Sequence, residues 1–173
     1  METTSKILTA ISEAIANVTN HAYPTDHAYQ TPHLGQLWVS ASANKVTREL
    51  SVVVYDQGAT IPVTYSLQEW KDQAMEMFRS LTAFEFIRGR RPETKHDDVY
   101  IEIATRLGSS QTKEAHRGKG LPQMRALLQQ VGNGTMSMYS RNGWCKFGQH
   151  DTVDRGTLPV SIGGTLIEWT FKV

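Results

Sequence analysis

The stretch SEAIANVTNHAYP, residues 12–24, carries a carboxylate, two carboxamides and an imidazole at spacings of three and four: Glu13, Asn17, Asn20 and His21. In a helix, where each residue advances by about 100°, these four side chains share one face. A carboxylate one turn from a carboxamide can position a water and hold an oxygen-seeking cation. The same face on an ordinary amphipathic helix is solvated surface, and the helix alone leaves both readings open. Three glycine-marked corners lie further along. YDQGATIP (55–62) ends an apolar run with Asp56 and Gly58. The glycine lets the chain turn sharply while the Asp56 carboxylate points across the strand end, where it can accept a hydrogen bond from an amino group such as that of adenine. HRGKGLPQM (116–124) passes through Gly118, Lys119 and Gly120 into a helix that begins near Leu121. Free N–H groups and the helix dipole at such a start suit phosphate. GGTLIEW (163–169) sets Gly164 and Thr165 at the head of the last apolar run. Each corner alone is ordinary turn chemistry; their joint occurrence in this order is not.

These residues need elements to hold them. The apolar positions Ile7, Leu8, Ile11, Ile15, Val18 and Ala22 lie opposite the polar face and predict a helix from about 4 to 22, stopped by Pro24. Residues 23–34 read as loop. Strands are expected over 36–43 and 49–56, joined near Asn44-Lys45. The run Val52-Val53-Val54 predicts a central strand covered on both faces. A helical region over 66–87 has Leu67, Trp70, Ala74, Met77, Phe78 and Leu81 at core spacing. A charged loop (88–98) precedes a short helix that Gly108 ends. The helix after Gly120 turns Leu121, Met124, Leu127, Leu128 and Val131 inward, and residues 135–149 read as a hairpin turning at Asn142-Gly143. A polar loop follows, then a final strand over 164–173. Together these predict one α+β domain over 1–173: a two-layer α/β sandwich with a mixed, mostly antiparallel sheet and helices on one face.

Composition narrows the function classes. A chain of 173 residues with 39% hydrophobic and 20% charged residues is globular in character and long enough for a sizeable core. A formal charge of +1 argues against a dedicated nucleic-acid or membrane-surface binder. The single cysteine, Cys145, sits in a strand-like apolar run and reads as a buried structural thiol. No run approaches a membrane span and no signal-peptide h-region is present, so a cytoplasmic protein is expected.

The order ExxxNxxxHAY, DxG, GxGL, GT resembles that of the Bergerat-fold (GHKL) ATPases, over about residues 5–172. The residues that carry it are Glu13, Asn17, His21, Ala22 and Tyr23, then Asp56 and Gly58, then Gly118, Gly120 and Leu121, then Gly164 and Thr165. The ending NHAY is most similar to bacterial anti-sigma-factor serine kinases and their histidine-kinase-like relatives. The resemblance implies ATP and Mg²⁺ as ligands, with Asn17 as the magnesium ligand and Glu13 as the general base or water-positioning residue. It implies that Asp56 reads adenine and Thr165 helps hold it. Gly118, Lys119 and Gly120 would wrap phosphate, His21 would orient phosphate or cap the helix, and the stretch from about 88 to 117 would form the ATP lid. Two departures stand out. Thr60 replaces the second glycine of the family's DxGxG box, and the strand and helix that precede the first motif in anti-sigma kinases have no counterpart here.

The expectation is therefore a Mg²⁺-dependent ATP-binding domain that hydrolyses ATP slowly or passes phosphate to a protein serine. Its expected partners are a protein or phospho-acceptor, with a homodimer also allowed, and neither membrane nor nucleic acid. A nucleotide-regulated interaction module without catalysis and the ATP-binding fragment of a sensor histidine kinase are the alternatives. The cluster Arg88, Arg90 and Arg91 reads as a solvated lid edge.

Overall fold

A computed structural model describes residues 2–25, 29, 35–66, 76–81, 83, 96–107 and 120–172. Helix α1 (Glu2–Asn17) continues into a single π-helical turn, Val18–Ala22, just before Pro24. Strands β1 (Leu37–Asn44) and β2 (Glu49–Asp56) follow, then α2 (Ile61–Ser66), the helical turn α3 (76–81), α4 (Asp97–Arg106) and α5 (Gly120–Val131). β3 (Gly134–Ser140), β4 (Gly143–Phe147), β5 (Val153–Thr157) and β6 (Thr165–Lys172) complete the order.

The six strands form one sheet in the order β1-β2-β6-β3-β4-β5, and every pairing is antiparallel, so no parallel pair occurs among the described residues. The chain's last strand is thus central. Burial alternates along β2, β3 and β6, as a sheet covered on one face requires. Val52, Val54, Met136, Met138, Ile167, Trp169 and Phe171 face the helices. The result is an α+β two-layer sandwich. β2 is central as expected, but Val53 stands half-buried on the other face rather than covered on both.

On α1 the buried seam is Ile7, Ala10, Ala14 and Val18, while Leu8 is 59% exposed. Two alanines at the seam let α1 lie close to the core cluster that includes Met124 and Leu127 of α5. This rotates the helix from the expected stripe, sends Leu8 outward, and sets Asn17 beside the seam rather than opposite it.

Three other expectations change. The hairpin turns at Arg141-Asn142, with Arg141 at φ 56°, and Gly143 opens β4 instead of serving in the turn. A Cβ at Gly143 would lie 2.3 Å from the Asp98 nitrogen, so this glycine admits the start of α4 against the sheet. The expected polar loop contains β5. Its sequence, VDRGT, lacks apolar alternation because it packs through charge. Arg155 Nε lies 3.0 Å from Glu102 and Nη1 3.6 Å from Asp98, both buried on α4. Finally, the middle of the expected lid is α4, whose Val99, Ile101 and Ile103 are fully buried. A helix carrying that much of the core cannot swing over a ligand. Cys145 is buried beside it, as expected, with its thiol donating to the Asp98 carbonyl. Burial, with Glu102 and Asp98 nearby, pushes that thiol far up and leaves it inert. No helix among the described residues is long and apolar enough to cross a membrane.

Candidate functional site

Three polar side chains meet at one end of the sheet's covered face. Asp56, the last residue of β2, pairs in register with Thr165, the first of β6, and Thr165 pairs with Ser140, the last of β3. All three are buried, at 5%, 8% and 0% exposure. The Thr165 and Ser140 hydroxyls lie 3.0 Å apart, and Ser140 accepts a hydrogen bond from the Ile61 N–H at 2.9 Å. A polar row in an otherwise apolar layer is costly unless it is satisfied or has something to bind.

The Asp56 carboxylate accepts the Gly58 N–H at 2.8 Å, the local bond that folds the DxG corner. Burial pushes its carboxyl up from 3.8 to about 6, with the Gly58 N–H pulling the other way. No described cation stands beside this carboxylate, and it retains acceptor capacity for a ligand amino group.

Glycines bring the surrounding backbone in. A Cβ at Gly58 would lie 2.2 Å from the Ala22 carbonyl oxygen, and the next residue, Ala59, donates its N–H to that same oxygen. The end of the π turn therefore seats directly on the DxG corner. Gly163, at φ 69°, reverses the chain, and Gly164 follows so close that a Cβ would lie 1.8 Å from the Asp56 carbonyl oxygen. Tyr23 ties the corner to β1: its hydroxyl donates to the Gln36 carbonyl and accepts the Gln57 N–H at 3.1 Å.

The other end of the π-turn segment meets α5. A Cβ at Gly120 would lie 2.6 Å from Asn17 Nδ2 and 2.9 Å from its Oδ1, so a side chain here would displace this carboxamide from the start of α5. Asn17 Nδ2 is buried and has no hydrogen-bond partner among the described residues. A buried amide N–H left unpaired costs on the order of 1–3 kcal/mol, so this donor suits an acceptor oxygen. One helical segment thus touches the DxG corner through Ala22 and the start of α5 through Asn17. Glu13 stands one turn before Asn17, half-buried, and His21 is exposed on the π turn. Leu121 packs partly buried against the core at the head of α5.

The donor set fits a cation that keeps most of its ligands as water and phosphate. Among the described residues no three His, Cys, Asp or Glu side chains cluster to make an all-protein cage. Magnesium keeps several waters and takes hard oxygen ligands, of which Asn17 Oδ1 would be one. Gly118, Lys119, Arg88, Arg90 and Arg91 lie outside the described residues, as do the flanks of the expected lid and most of the 66–87 helix. Ser140 is the residue sequence reasoning missed. Its place beside Thr165 depends on strand register, which no local pattern carries. Neither a protein-family model nor a curated protein sequence matches the chain.

Proposed function

We propose that this chain is a Bergerat-type, Mg²⁺-dependent ATP-binding domain that hydrolyses ATP slowly or transfers its terminal phosphate to a protein serine, in a bacterial cytoplasm. One observation carries the reading. The buried row Asp56–Thr165–Ser140 and the Asn17 carboxamide, whose Nδ2 has no partner among the described residues, are joined by one helical segment, each beside a glycine. A base with an exocyclic amino group suits the first, and a magnesium polyphosphate suits the second.

The roles follow from the chemistry of each group. Asp56 accepts from the adenine amino group, a charge-assisted hydrogen bond worth about 1.5–3 kcal/mol. The hydroxyls of Thr165 and Ser140 orient that contact. Asn17 would hold Mg²⁺, which when bound neutralises charge on the phosphates. Glu13, one turn away, takes the proton of an attacking water or serine hydroxyl, and such positioned bases contribute roughly 10²–10⁴ in rate. Positioning and electrostatics dominate phosphoryl transfer, so the acceptor decides between hydrolysis and kinase activity.

Titration with Mg-ATP tests the reading. At about 100 times the dissociation constant a ligand stabilises by about 2.7 kcal/mol, which for a domain of this size raises Tm by roughly 5–10 °C. Asp56→Asn should remove that rise. An unchanged rise in the variant would place the base elsewhere. If nucleotide binds but turnover matches background in wild type and Glu13→Gln alike, the chain is a nucleotide-regulated module without catalysis.

A further inference from the structure

The two edges of the sheet are built differently. The β5 edge is guarded: it is short, carries exposed Asp154, and presses Arg155 onto the acids of α4. The β1 edge is not. It is eight residues long, its sequence LWVSASAN contains no charge and no proline, and no described strand pairs with its outer side. Seven of its eight residues are exposed, including Trp38 at 40% and Val39 at 48%. Long, uncharged edges of this kind template further strand pairing unless something occupies them.

From this edge we infer that β1 pairs antiparallel with β1 of a second copy of the chain, joining two six-stranded sheets across a two-fold axis. The argument for this occupant is self-complementarity. Large residues fill the first half of the strand (Leu37, Trp38, Val39) and small ones the second (Ser40, Ala41, Ser42, Ala43). A two-fold perpendicular to the sheet requires opposed residues to share a face. Centred on Ser40, it sets Trp38 opposite Ser42 on the open face, and Val39 opposite Ala41 and Leu37 opposite Ala43 on the helix face. Every large side chain meets a small one, and no like charges oppose. Trp38 is already held by the Tyr55 ring at 5.5 Å, so little side-chain freedom is lost on pairing. The strand begins beside Gln36, whose carbonyl binds Tyr23 at the DxG corner, so the joined edge also braces the candidate site.

An eight-residue ladder buries less than the roughly 800 Å² per partner of a standard interface. Dimerisation is therefore weak and concentration-dependent. Sedimentation velocity over a dilution series reads it directly. The wild-type mass should climb from one chain toward two, and Ser40→Lys, which opposes two lysines at the axis, should weaken association by at least about tenfold. Its melting temperature at monomeric concentration should stay that of wild type. Under mild oxidation Ser40→Cys should give a disulfide-linked dimer, while Val46→Cys at the hairpin tip should not. A wild type that stays monomeric at about 500 µM, or a Ser40→Lys variant that associates as wild type does, overturns the inference.

Discussion

Replacing Asp56 with asparagine separates what this carboxylate does for folding from what it does for binding. Its carboxyl is raised from 3.8 to about 6, chiefly by burial. A native state that holds its proton to higher pH than the unfolded chain gains stability at low pH. That gain is complete only below pH 3.8 and is lost as pH rises through about 6. A shift of about two units corresponds to about 3 kcal/mol. At pH 7 the ligand-free protein therefore carries a buried, ionised group at that cost. Asparagine keeps an oxygen for the Gly58 N–H but has no charge to desolvate. The difference in unfolding free energy between Asp56→Asn and wild type should thus move by about 2.4 kcal/mol in the variant's favour between pH 4 and pH 7. Urea unfolding at both pH values, without nucleotide, measures it. Comparison at pH 4, where both side chains are neutral, isolates any difference in packing. A difference independent of pH would refute the reasoning, because it would mean that Asp56 ionises in the fold as it does in water. Such a result would also remove the physical reason for regarding the carboxylate as held for a ligand.

Three further outcomes follow from the same geometry. Gly120→Ala places a methyl group 2.6 Å from Asn17 Nδ2; it should cost about 1–3 kcal/mol of stability and weaken Mg-ATP binding more than binding of metal-free ATP, both read by calorimetry. Glu13→Gln should lower turnover by roughly 10²–10⁴ with nucleotide affinity nearly unchanged, as single-turnover kinetics would show. Arg155→Leu removes a buried arginine from beside Asp98 and Glu102, the latter keeping Arg106; it should cost about 1.5–3 kcal/mol in urea unfolding while sparing ligand contacts.

What could be read from the sequence follows a physical division. Asp56, Gly58, Gly120 and Thr165 were legible because each sits where an apolar pattern starts or stops next to a glycine, and such punctuation is local. The strands β2, β3 and β6 were legible for a similar reason, since their alternation registers one buried face. Ser140 was not, because its neighbours Thr165 and Ile61 are brought in by pairing across the chain. β5 was hidden because Arg155 satisfies acids on α4 and leaves no apolar period to see. Gly143 was assigned to the turn by its dipeptide, whereas the approach of Asp97 and Asp98 fixes its role. Leu8 was placed inward by spacing, yet Ala10 and Ala14 made the closer seam. The helix before Gly108 was legible as a helix, but the charged residues around it drew it into the expected lid, whereas Val99, Ile101 and Ile103 of α4 belong to the core.

The most direct test is a crystal structure of the chain grown with Mg²⁺ and a non-hydrolysable ATP analogue. The account predicts the adenine amino group in hydrogen-bond contact with the Asp56 carboxylate, and a magnesium ion about 2.1 Å from the Asn17 side-chain oxygen, beside Gly120. A nucleotide bound with its base away from Asp56, or with its phosphates away from Asn17, would contradict it.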